Sequence, residues 1–120
     1  MSWITLDNID QLDALDQASY NQCVLIFKHS TRCSISDIAL SRLKGKSTST
    51  LFLEYSYCLD VIKHRDISNE IAHRYQVHHE TPQVLMIKNG DCFYEASHLD
   101  ILPEEINEQI PMPSAQKGNS

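Results

Sequence analysis

The sequence predicts an α/β fold with a mixed central sheet of four to five strands flanked by helices, on three observations. Short apolar runs alternate with segments in which apolar residues recur every three or four positions, as in strands alternating with helices. The run Cys23–Phe27 has no polar interruption, which is typical of a strand covered on both faces. Asn89-Gly90 separates two further apolar runs and favours a tight β-hairpin turn.

The individual elements follow in chain order. We predict strands at residues 3–6, 22–28, 51–58, 83–88 and 91–95. We predict helices from Asn8 to about Ala18 with Gln11 as capping-box partner, from Cys33 to about Gly45, from Asp66 as N-cap to Tyr75, and from Pro103 at the first helical position. This order, βαβαβα followed by a hairpin and a closing helix, is that of the thioredoxin-like architecture.

Length and charge narrow the functional classes. The 120 residues suffice for one core, and we place a domain at residues 1–110 and a disordered tail at 111–120. The formal net charge of −6 argues against non-specific binding to nucleic acid or to an anionic membrane. No apolar run approaches the ~20 residues that a membrane span needs, and no signal peptide is visible, so we expect a cytoplasmic protein.

Cys33 is the residue around which we expect the chemistry to be organised. It lies where the apolar strand pattern ends and a helical pattern begins. The positive end of the helix dipole and the unpaired N–H groups of the first turn favour a thiolate there, and Arg32 acts in the same direction. Because the thiolate is the nucleophile in disulfide exchange, we predict that Cys33 is a redox nucleophile.

The other three cysteines have a different setting. Cys23, Cys58 and Cys92 each lie within or at the end of a strand-like apolar pattern, where free cysteine acts as a small hydrophobe. A structural disulfide framework is not expected in a chain without signs of secretion. A bond from Cys33 to Cys58 or Cys92 would need Cα atoms within about 7 Å, and strand burial argues against it.

Thr81-Pro82 stands directly before an apolar strand and has two interpretations. A trans proline would simply begin the strand. A cis proline would turn the Thr81 backbone toward Cys33, where its N–H and C=O groups can hold an extended substrate by strand-like pairing. The predicted topology places residues 79–83 beside the helix that begins at Cys33.

The segments 27–36 (FKHSTRCSIS), 61–62 with 67–72, and 79–85 (HETPQVL) resemble the YtxJ-like monothiol bacilliredoxins. These are thioredoxin-fold proteins linked to the small thiol bacillithiol, and the similarity spans about residues 2–110. The resemblance implies removal of bacillithiol from mixed disulfides on client proteins through Cys33. It also implies bacillithiol as co-substrate without a tightly bound cofactor, and S-thiolated proteins as partners. We expect a monomer or weak dimer.

Two serines near Cys33 bear on its chemistry, and one of them, Ser34, departs from the family pattern. Ser36 occupies the place of the second cysteine of a Cys-x-x-Cys pair, so an intramolecular dithiol cycle through it is excluded. We expect its hydroxyl to donate a hydrogen bond to the Cys33 thiolate. Ser34 stands where many family members have proline, and its N–H is a further candidate donor to the sulfur. Arg32 is expected to attract a carboxylate of the small thiol.

The remaining candidates would bind substrate. Thr31, Thr81 and Pro82 flank the predicted groove, and Glu80 and Gln83 either orient polar parts of the small thiol or are solvated loop residues. His29 either assists the thiolate or is a loop histidine exposed to solvent, and the sequence favours exposure. No metal site is predicted, because His64, His73, His78 and His79 lack zinc-ligand spacing.

Two other functions remain open at this stage. A non-catalytic thioredoxin-like module would use the groove beside Pro82 to bind a protein or peptide. An iron–sulfur carrier similar to the monothiol glutaredoxins would use Cys33 as a ligand, although Ser34 and Ile35 replace the glycine and phenylalanine typical of that group.

Overall fold

The computed structural model describes residues 3–44 and 55–110. Its elements follow the predicted order: β1 (Trp3–Thr5), α1 (Asp10–Ala18), β2 (Val24–His29), α2 (Ser34–Lys44), β3 (Tyr55–Asp60), α3 (Arg65–Tyr75), β4 (Gln83–Lys88), β5 (Asp91–Ser97), a 3-10 turn (His98–Asp100) and α4 (Pro103–Gln109). No helix in these two described ranges is long and apolar enough to cross a membrane.

The five strands form one mixed sheet in the order β1-β3-β2-β4-β5. β3 runs parallel to both β1 and β2, whereas β4 is antiparallel to β2 and to β5. β2 is the central strand and all six of its residues are buried. The continuous apolar run that predicted a doubly covered strand is therefore explained by helices packing on both sides.

Alternate residues of β2 enter two separate cores. Val24 and Ile26 pack with the leucines and isoleucines of α1 and α3. Leu25 and Phe27 pack instead with the buried apolar residues of α2 and α4. Because successive strand residues point to opposite faces, the next two residues, Lys28 and His29, continue this alternation.

Most element boundaries agree with the sequence prediction, and the differences have local causes. Gln11 Oε1 accepts hydrogen bonds from the N–H groups of Asp7 and Asn8, at 2.8 and 2.9 Å, as expected for a capping residue of α1. Asp66 was wrongly predicted as the N-cap of α3, because the helix begins at Arg65 after His64. The predicted strand residues 51–54, the helix end at Gly45 and the tail 111–120 lie outside the described residues.

The tip of the β4–β5 hairpin is fastened to the end of α1. Asn89 and Gly90 have φ values of 54° and 76°, the left-handed conformations that a tight hairpin turn requires. The N–H of Asn89 donates to the Ser19 carbonyl oxygen at 2.8 Å, and that of Gly90 donates to Ser19 Oγ at 2.9 Å. A Cβ atom at position 90 would lie 2.6 Å from the hydroxyl of the exposed Tyr20 side chain, which can move aside, so the positive φ is the main reason for glycine there.

Candidate active site

The sheet brings Cys33 and the Thr81-Pro82 segment to the same edge. β2 and β4 are antiparallel with Lys28 opposite Gln83, so the end of β2 lies beside the start of β4. Continuing this register by two residues places Ser30 level with Thr81. A turn closed by the Cys33 N–H, which donates to the Ser30 carbonyl oxygen at 3.2 Å, then leads into α2.

Cys33 is the N-cap of α2. Its carbonyl oxygen accepts the first intrahelical hydrogen bond, from the Asp37 N–H at 3.1 Å. The thiol is free and partly exposed, so it is open to a reacting disulfide. The predicted position at a strand-to-helix junction is thus confirmed, with the unpaired N–H groups of the first turn next to the side chain.

The other three cysteines are poor nucleophiles. All four cysteines lie in the described part of the chain and none is in a disulfide. Burial raises the pKa of the Cys23 thiol to about 12 and also raises the pKa of Cys58 and of Cys92. Cys23 is fully buried as predicted, whereas Cys58 and Cys92 are half-buried.

The two half-buried cysteines differ in their distance from the Cys33 end of the sheet, and Cys92 is remote from it. Cys92 is opposite Ile87, which pairs with Val24 at the beginning of β2. The length of β2, about 16 Å at ~3.3 Å per residue, therefore separates it from the Cys33 edge. Cys58 is level with Phe27 and packs against the core beneath α2.

Ser36 is engaged away from the sulfur, which corrects the prediction that it hydrogen-bonds Cys33. Its side chain is fully buried in the first turn of α2. Its Oγ lies 2.5 Å from His29 Nδ1 and accepts a hydrogen bond from the Ser30 N–H at 3.0 Å. The hydroxyl thus fixes the end of β2 to the start of α2, and so holds the loop that carries Cys33.

His29 is buried, so the prediction of a solvent-exposed loop histidine is wrong. It is the last residue of β2, is 8% exposed, and stacks on Phe27 with ring centroids 5.7 Å apart. Its carbonyl oxygen accepts from the Val61 N–H at 3.0 Å, which also ties β2 to the residue after β3. This hydrogen bond and the Ser36 contact together give His29 a structural role, which is to hold the end of β2 beneath the Cys33 turn.

The Thr81-Pro82 peptide bond is cis, which resolves the two interpretations in favour of the second. Pro82 is buried and Thr81 is half-buried, immediately before the first residue of β4. The Pro82 carbonyl oxygen accepts a hydrogen bond from the His98 N–H at 3.0 Å. The segment is therefore held against the 3-10 turn that follows β5, with Thr81 at the end of the sheet from which the Cys33 turn leaves.

Gln83 is a structural residue, so both interpretations offered for its side chain are wrong. It is fully buried, and its Nε2 donates to the His78 carbonyl oxygen at 3.0 Å and to Glu95 Oε1 at 3.1 Å. Its Oε1 accepts from the Glu80 N–H at 3.4 Å. With its polar atoms used inside the protein, Gln83 shapes the loop before Pro82 and has no free group for a ligand.

Glu80 remains at the surface of this loop. Its carboxylate lies 3.5 Å from His78 Nε2 and 3.3 Å from His98 Nε2, and it is about one-third exposed. Protonation of either imidazole would create an ion pair there. The Glu80 carboxylate can therefore bind a polar ligand, which would compete for it with His78 and His98.

The remaining predicted residues lie around Cys33 on the open side of the turn. Thr31, Arg32 and Ser34 are exposed, and the Arg32 N–H donates to Ser30 Oγ at 3.3 Å. Asp37, which was not among the predicted site residues, is also exposed, in the first turn of α2. Asp37 and Arg32 thus bring opposite charges to the exposed residues around the Cys33 turn.

A polar cluster on the other face of β2 was missed from the sequence. Lys28 is fully buried, with Nζ 3.3 Å from the Ser68 carbonyl oxygen and 3.2 Å from His79 Nδ1. The signal was present as a lysine directly after five apolar residues of a doubly covered strand. Burial lowers the pKa of Lys28 to about 8. Within the described ranges, no group of three or more His, Cys, Asp or Glu residues is placed to hold a metal ion.

Comparison with known proteins agrees with this geometry. A family model described as monothiol bacilliredoxin BrxC matches residues 4–106. The chain belongs to the monothiol bacilliredoxin family. Its membership confirms the resemblance seen in the Cys33 and Thr81-Pro82 segments and supports a role as a thiol-disulfide oxidoreductase.

Solved structures place this bacilliredoxin-family chain in the thioredoxin fold. A protein assigned as an oxidoreductase with a thioredoxin fold shares 30% identity at a TM-score of 0.74, over 88% of this chain and 91% of its own. Reduced Schistosoma mansoni thioredoxin pre-protein shares 20% identity at 0.67, over 92% and 96%. Oxidised mitochondrial thioredoxin 3 from Saccharomyces cerevisiae shares 19% at 0.64, over 88% and 91%. The two thioredoxins bear on the fold alone.

Proposed function

We propose that this protein removes bacillithiol, or a similar small thiol, from mixed disulfides on client proteins through Cys33. The observation that carries the proposal is a free, partly exposed cysteine at the N-cap of α2, with serine at the third residue after it. Bacillithiol serves as co-substrate without a resident cofactor, and S-thiolated proteins are the partners. We propose a monomer or weak dimer for the working protein.

The reaction is one thiol–disulfide exchange. The Cys33 thiolate attacks the small-thiol sulfur of the mixed disulfide, a new S–S bond forms at Cys33, and the bond to the client breaks. The client leaves as a thiolate and takes up a proton. No net oxidation occurs in this step, since one disulfide replaces another.

Regeneration requires a second thiol from outside the chain. Ser36 has no sulfur, and its hydroxyl is already used by His29 and Ser30. A free small thiol or a thiol reductase therefore attacks the Cys33 adduct, restores the Cys33 thiolate and becomes oxidised to a disulfide itself. The poor nucleophilicity of the other cysteines supports this external step.

The sheet end beside Cys33 supports binding of an extended substrate. The β2–β4 pairing ends at Lys28 opposite Gln83, so the Cys33 turn and Thr81 both adjoin this end of the sheet. Backbone groups at such a strand end pair with an extended chain, while side chains select among ligands. Thr31, Arg32, Glu80, Thr81 and Pro82 are the residues we propose for this contact.

The test is transfer of a defined small thiol, followed by intact and peptide mass spectrometry. A client protein carrying one bacillithiol is incubated with wild type, with Cys33→Ser, and with Cys92→Ser as the matched control. We expect wild type and Cys92→Ser to lower the client mass by one bacillithiol and to gain it on Cys33. Cys33→Ser should leave the client modified.

Other outcomes discriminate among the alternatives. A client that stays modified with wild type, although the protein binds it, would favour the non-catalytic module. Transfer that survives Cys33→Ser would remove Cys33 from the catalytic role. A parallel client carrying glutathione measures selectivity, because equal rates would reduce the proposal to a general monothiol reductase.

A further inference from the structure

Lys28 is a buried cation on the face of the sheet opposite to α2. Within the described residues its Nζ contacts a carbonyl oxygen and an imidazole but no carboxylate. A buried charge without an ion-pair partner is destabilising. A lysine in this position therefore points to a role other than stability, and its neighbours indicate which group it orients.

The partners of His79 determine its tautomer. The Lys28 ammonium has only donors, so His79 Nδ1 must accept from it at 3.2 Å. The Ser68 hydroxyl, 3.1 Å from the same nitrogen, is a second donor. The proton of the neutral ring is thus on Nε2, which lies 3.3 Å from Thr81 Oγ1.

We propose that Lys28 and His79 position the Thr81 hydroxyl as a hydrogen-bond donor to a carboxylate or carbonyl oxygen of the bound small thiol. Since His79 Nε2–H donates to Thr81 Oγ1, the hydroxyl hydrogen is left for another acceptor. Thr81 is half-buried and has no other hydrogen-bond partner among the described residues. The inference rests on the proposed function and adds how the ligand is recognised.

The position of Thr81 suits this task. It precedes the end of β4 at which Lys28 is opposite Gln83, the same end of the sheet from which the Cys33 turn leaves, so a small thiol that extends from the sulfur along this end would reach it. Small thiols built on cysteine carry carboxylate and amide oxygens close to the sulfur. A donor fixed at residue 81 therefore discriminates such thiols from amines and hydrocarbons of the same length.

The charges around His79 define when this arrangement holds. Lys28 from β2, Arg65 from α3 and His78 from its own loop disfavour a charged ring, whereas Glu80 favours it. Partial desolvation of the ring and these cations together lower the pKa of His79. His79 is exposed and lines a shallow, open cleft beside α3, so solvent protons reach it. Protonation of His79 places a hydrogen on Nδ1, which then cannot accept from Lys28. At pH values below the pKa of His79 we therefore expect a lower affinity for the ligand.

The tautomer is measured directly on the wild-type protein. Long-range ¹H–¹⁵N correlation of the imidazole nitrogens should show His79 protonated on Nε2 and unprotonated on Nδ1 at neutral pH. In Lys28→Met the same spectrum should shift toward a mixture of tautomers, and the pKa of His79 should rise because a neighbouring cation is gone. A wild-type ring protonated on Nδ1 overturns the proposal.

Steady-state kinetics with the bacillithiolated client test the role in binding. We expect His79→Leu and Thr81→Val each to raise KM about tenfold with kcat within about twofold, since one hydrogen bond to a charged acceptor is lost. The double variant should be no worse than either single variant, because both remove the same contact. His79→Gln, which offers an amide acceptor and donor, should recover most of the affinity.

Two controls separate positioning from general damage. His73→Leu, on the exposed face of α3, should leave KM unchanged. A client carrying cysteamine, which has no oxygen, should show no KM change in Thr81→Val. Equal losses with both clients, or additive losses in the double variant, overturn the proposal. A wild type that transfers no small thiol overturns the proposed function itself, whereas an active wild type with normal KM in both variants overturns this inference alone.

Discussion

Lys28 and His29 are consecutive residues at the end of β2, yet they serve opposite layers of the protein. His29 faces α2 and lies 2.5 Å from the Ser36 hydroxyl, beneath the turn that holds Cys33. Lys28 faces α3 and contacts the Ser68 carbonyl oxygen and His79, next to Thr81. Each side chain thus reaches a serine in the first turns of the helix on its own face.

The difference lies in how the buried polar groups are paired. On the α2 side the His29 ring and the Ser36 hydroxyl hydrogen-bond to each other, and buried polar groups cost little once they are hydrogen-bonded. The α3 side carries a fully buried ammonium, whose lowered pKa shows that burial penalises its charged form. The α2 side therefore stabilises the turn that carries Cys33. The α3 side lowers the stability of the fold and orients the segment that ends at Thr81-Pro82.

The largest expected effect is a pH-dependent gain from Lys28→Met. Below pH 8 folded and unfolded wild type both carry the Lys28 proton, so the fold bears the full cost of burying it. Between its folded pKa of about 8 and its ordinary value of 10.5 only the unfolded chain keeps the proton, so wild-type stability increases with pH. At neutral pH Lys28→Met should be more stable by up to about 3 kcal/mol.

Urea unfolding at several pH values measures this difference. The advantage of Lys28→Met should shrink from pH 8 upward and vanish near the ordinary lysine pKa. Cys23 and Tyr75, whose pKa values burial raises, titrate in both proteins and cancel in the comparison. Parallel stability curves for the two proteins would show that Lys28 carries no such penalty.

A matched pair of serine substitutions gives the next largest effect. Ser36→Ala removes the partner of His29 and of the buried Ser30 N–H, and we expect it to lower the free energy of unfolding by about 2 kcal/mol. Ser68→Ala removes one of two donors to His79 and keeps the backbone carbonyl that Lys28 contacts, so its cost should be below about 1 kcal/mol.

Both serines lie in helices, so the gain in helix propensity from alanine is shared and the difference isolates the contacts. Urea unfolding at neutral pH provides the measurement. Equal losses at the two positions would mean that the two sides of β2 are not held as differently as their hydrogen bonds indicate.

The smallest effect concerns exposed charges near Cys33, in contrast to the buried charge of Lys28. Arg32→Gln should slow alkylation of Cys33 at neutral pH and Asp37→Asn should speed it. Each change should stay below about fivefold, because both side chains are exposed and screened by water. The rate is read by mass spectrometry of the Cys33 peptide.

High salt is the control for this pair, since it screens exposed charges. Both variants should approach the wild-type rate in ~1 M salt, where the Debye length is about 3 Å. A difference in alkylation rate that persists at high salt would indicate that the side chain contacts the sulfur directly and does not act through a long-range electrostatic interaction.

The fold was predictable because its signals are local. Apolar spacing, Asn89-Gly90 and Pro103 each act within a few residues and each marks the element observed. The place of Cys33 followed from the same kind of signal, a strand pattern passing into a helix pattern. The sequence alone could not decide between a cis and a trans Thr81-Pro82 bond, and the structure shows that it is cis.

The polar interior was not predictable in this way. Lys28 meets partners 40 and 51 residues away, and Gln83 meets Glu95 across the hairpin. Burial of a polar side chain depends on whether such distant partners satisfy it, which composition and periodicity do not reveal. For this reason His29 and Gln83 were predicted to be exposed or ligand-binding although they are buried, and the burial of Lys28 was not predicted.

The fastening of the hairpin tip to Ser19 has a consequence for native-state hydrogen exchange. Turn amides normally exchange early, but those of Asn89 and Gly90 are both donated to α1. Their deuterium uptake should therefore wait for detachment of that helix end. We therefore expect the slowest local unfolding at the hairpin tip, at the end of the sheet remote from Cys33. Local motions at the Cys33 end can then occur without opening the hairpin tip.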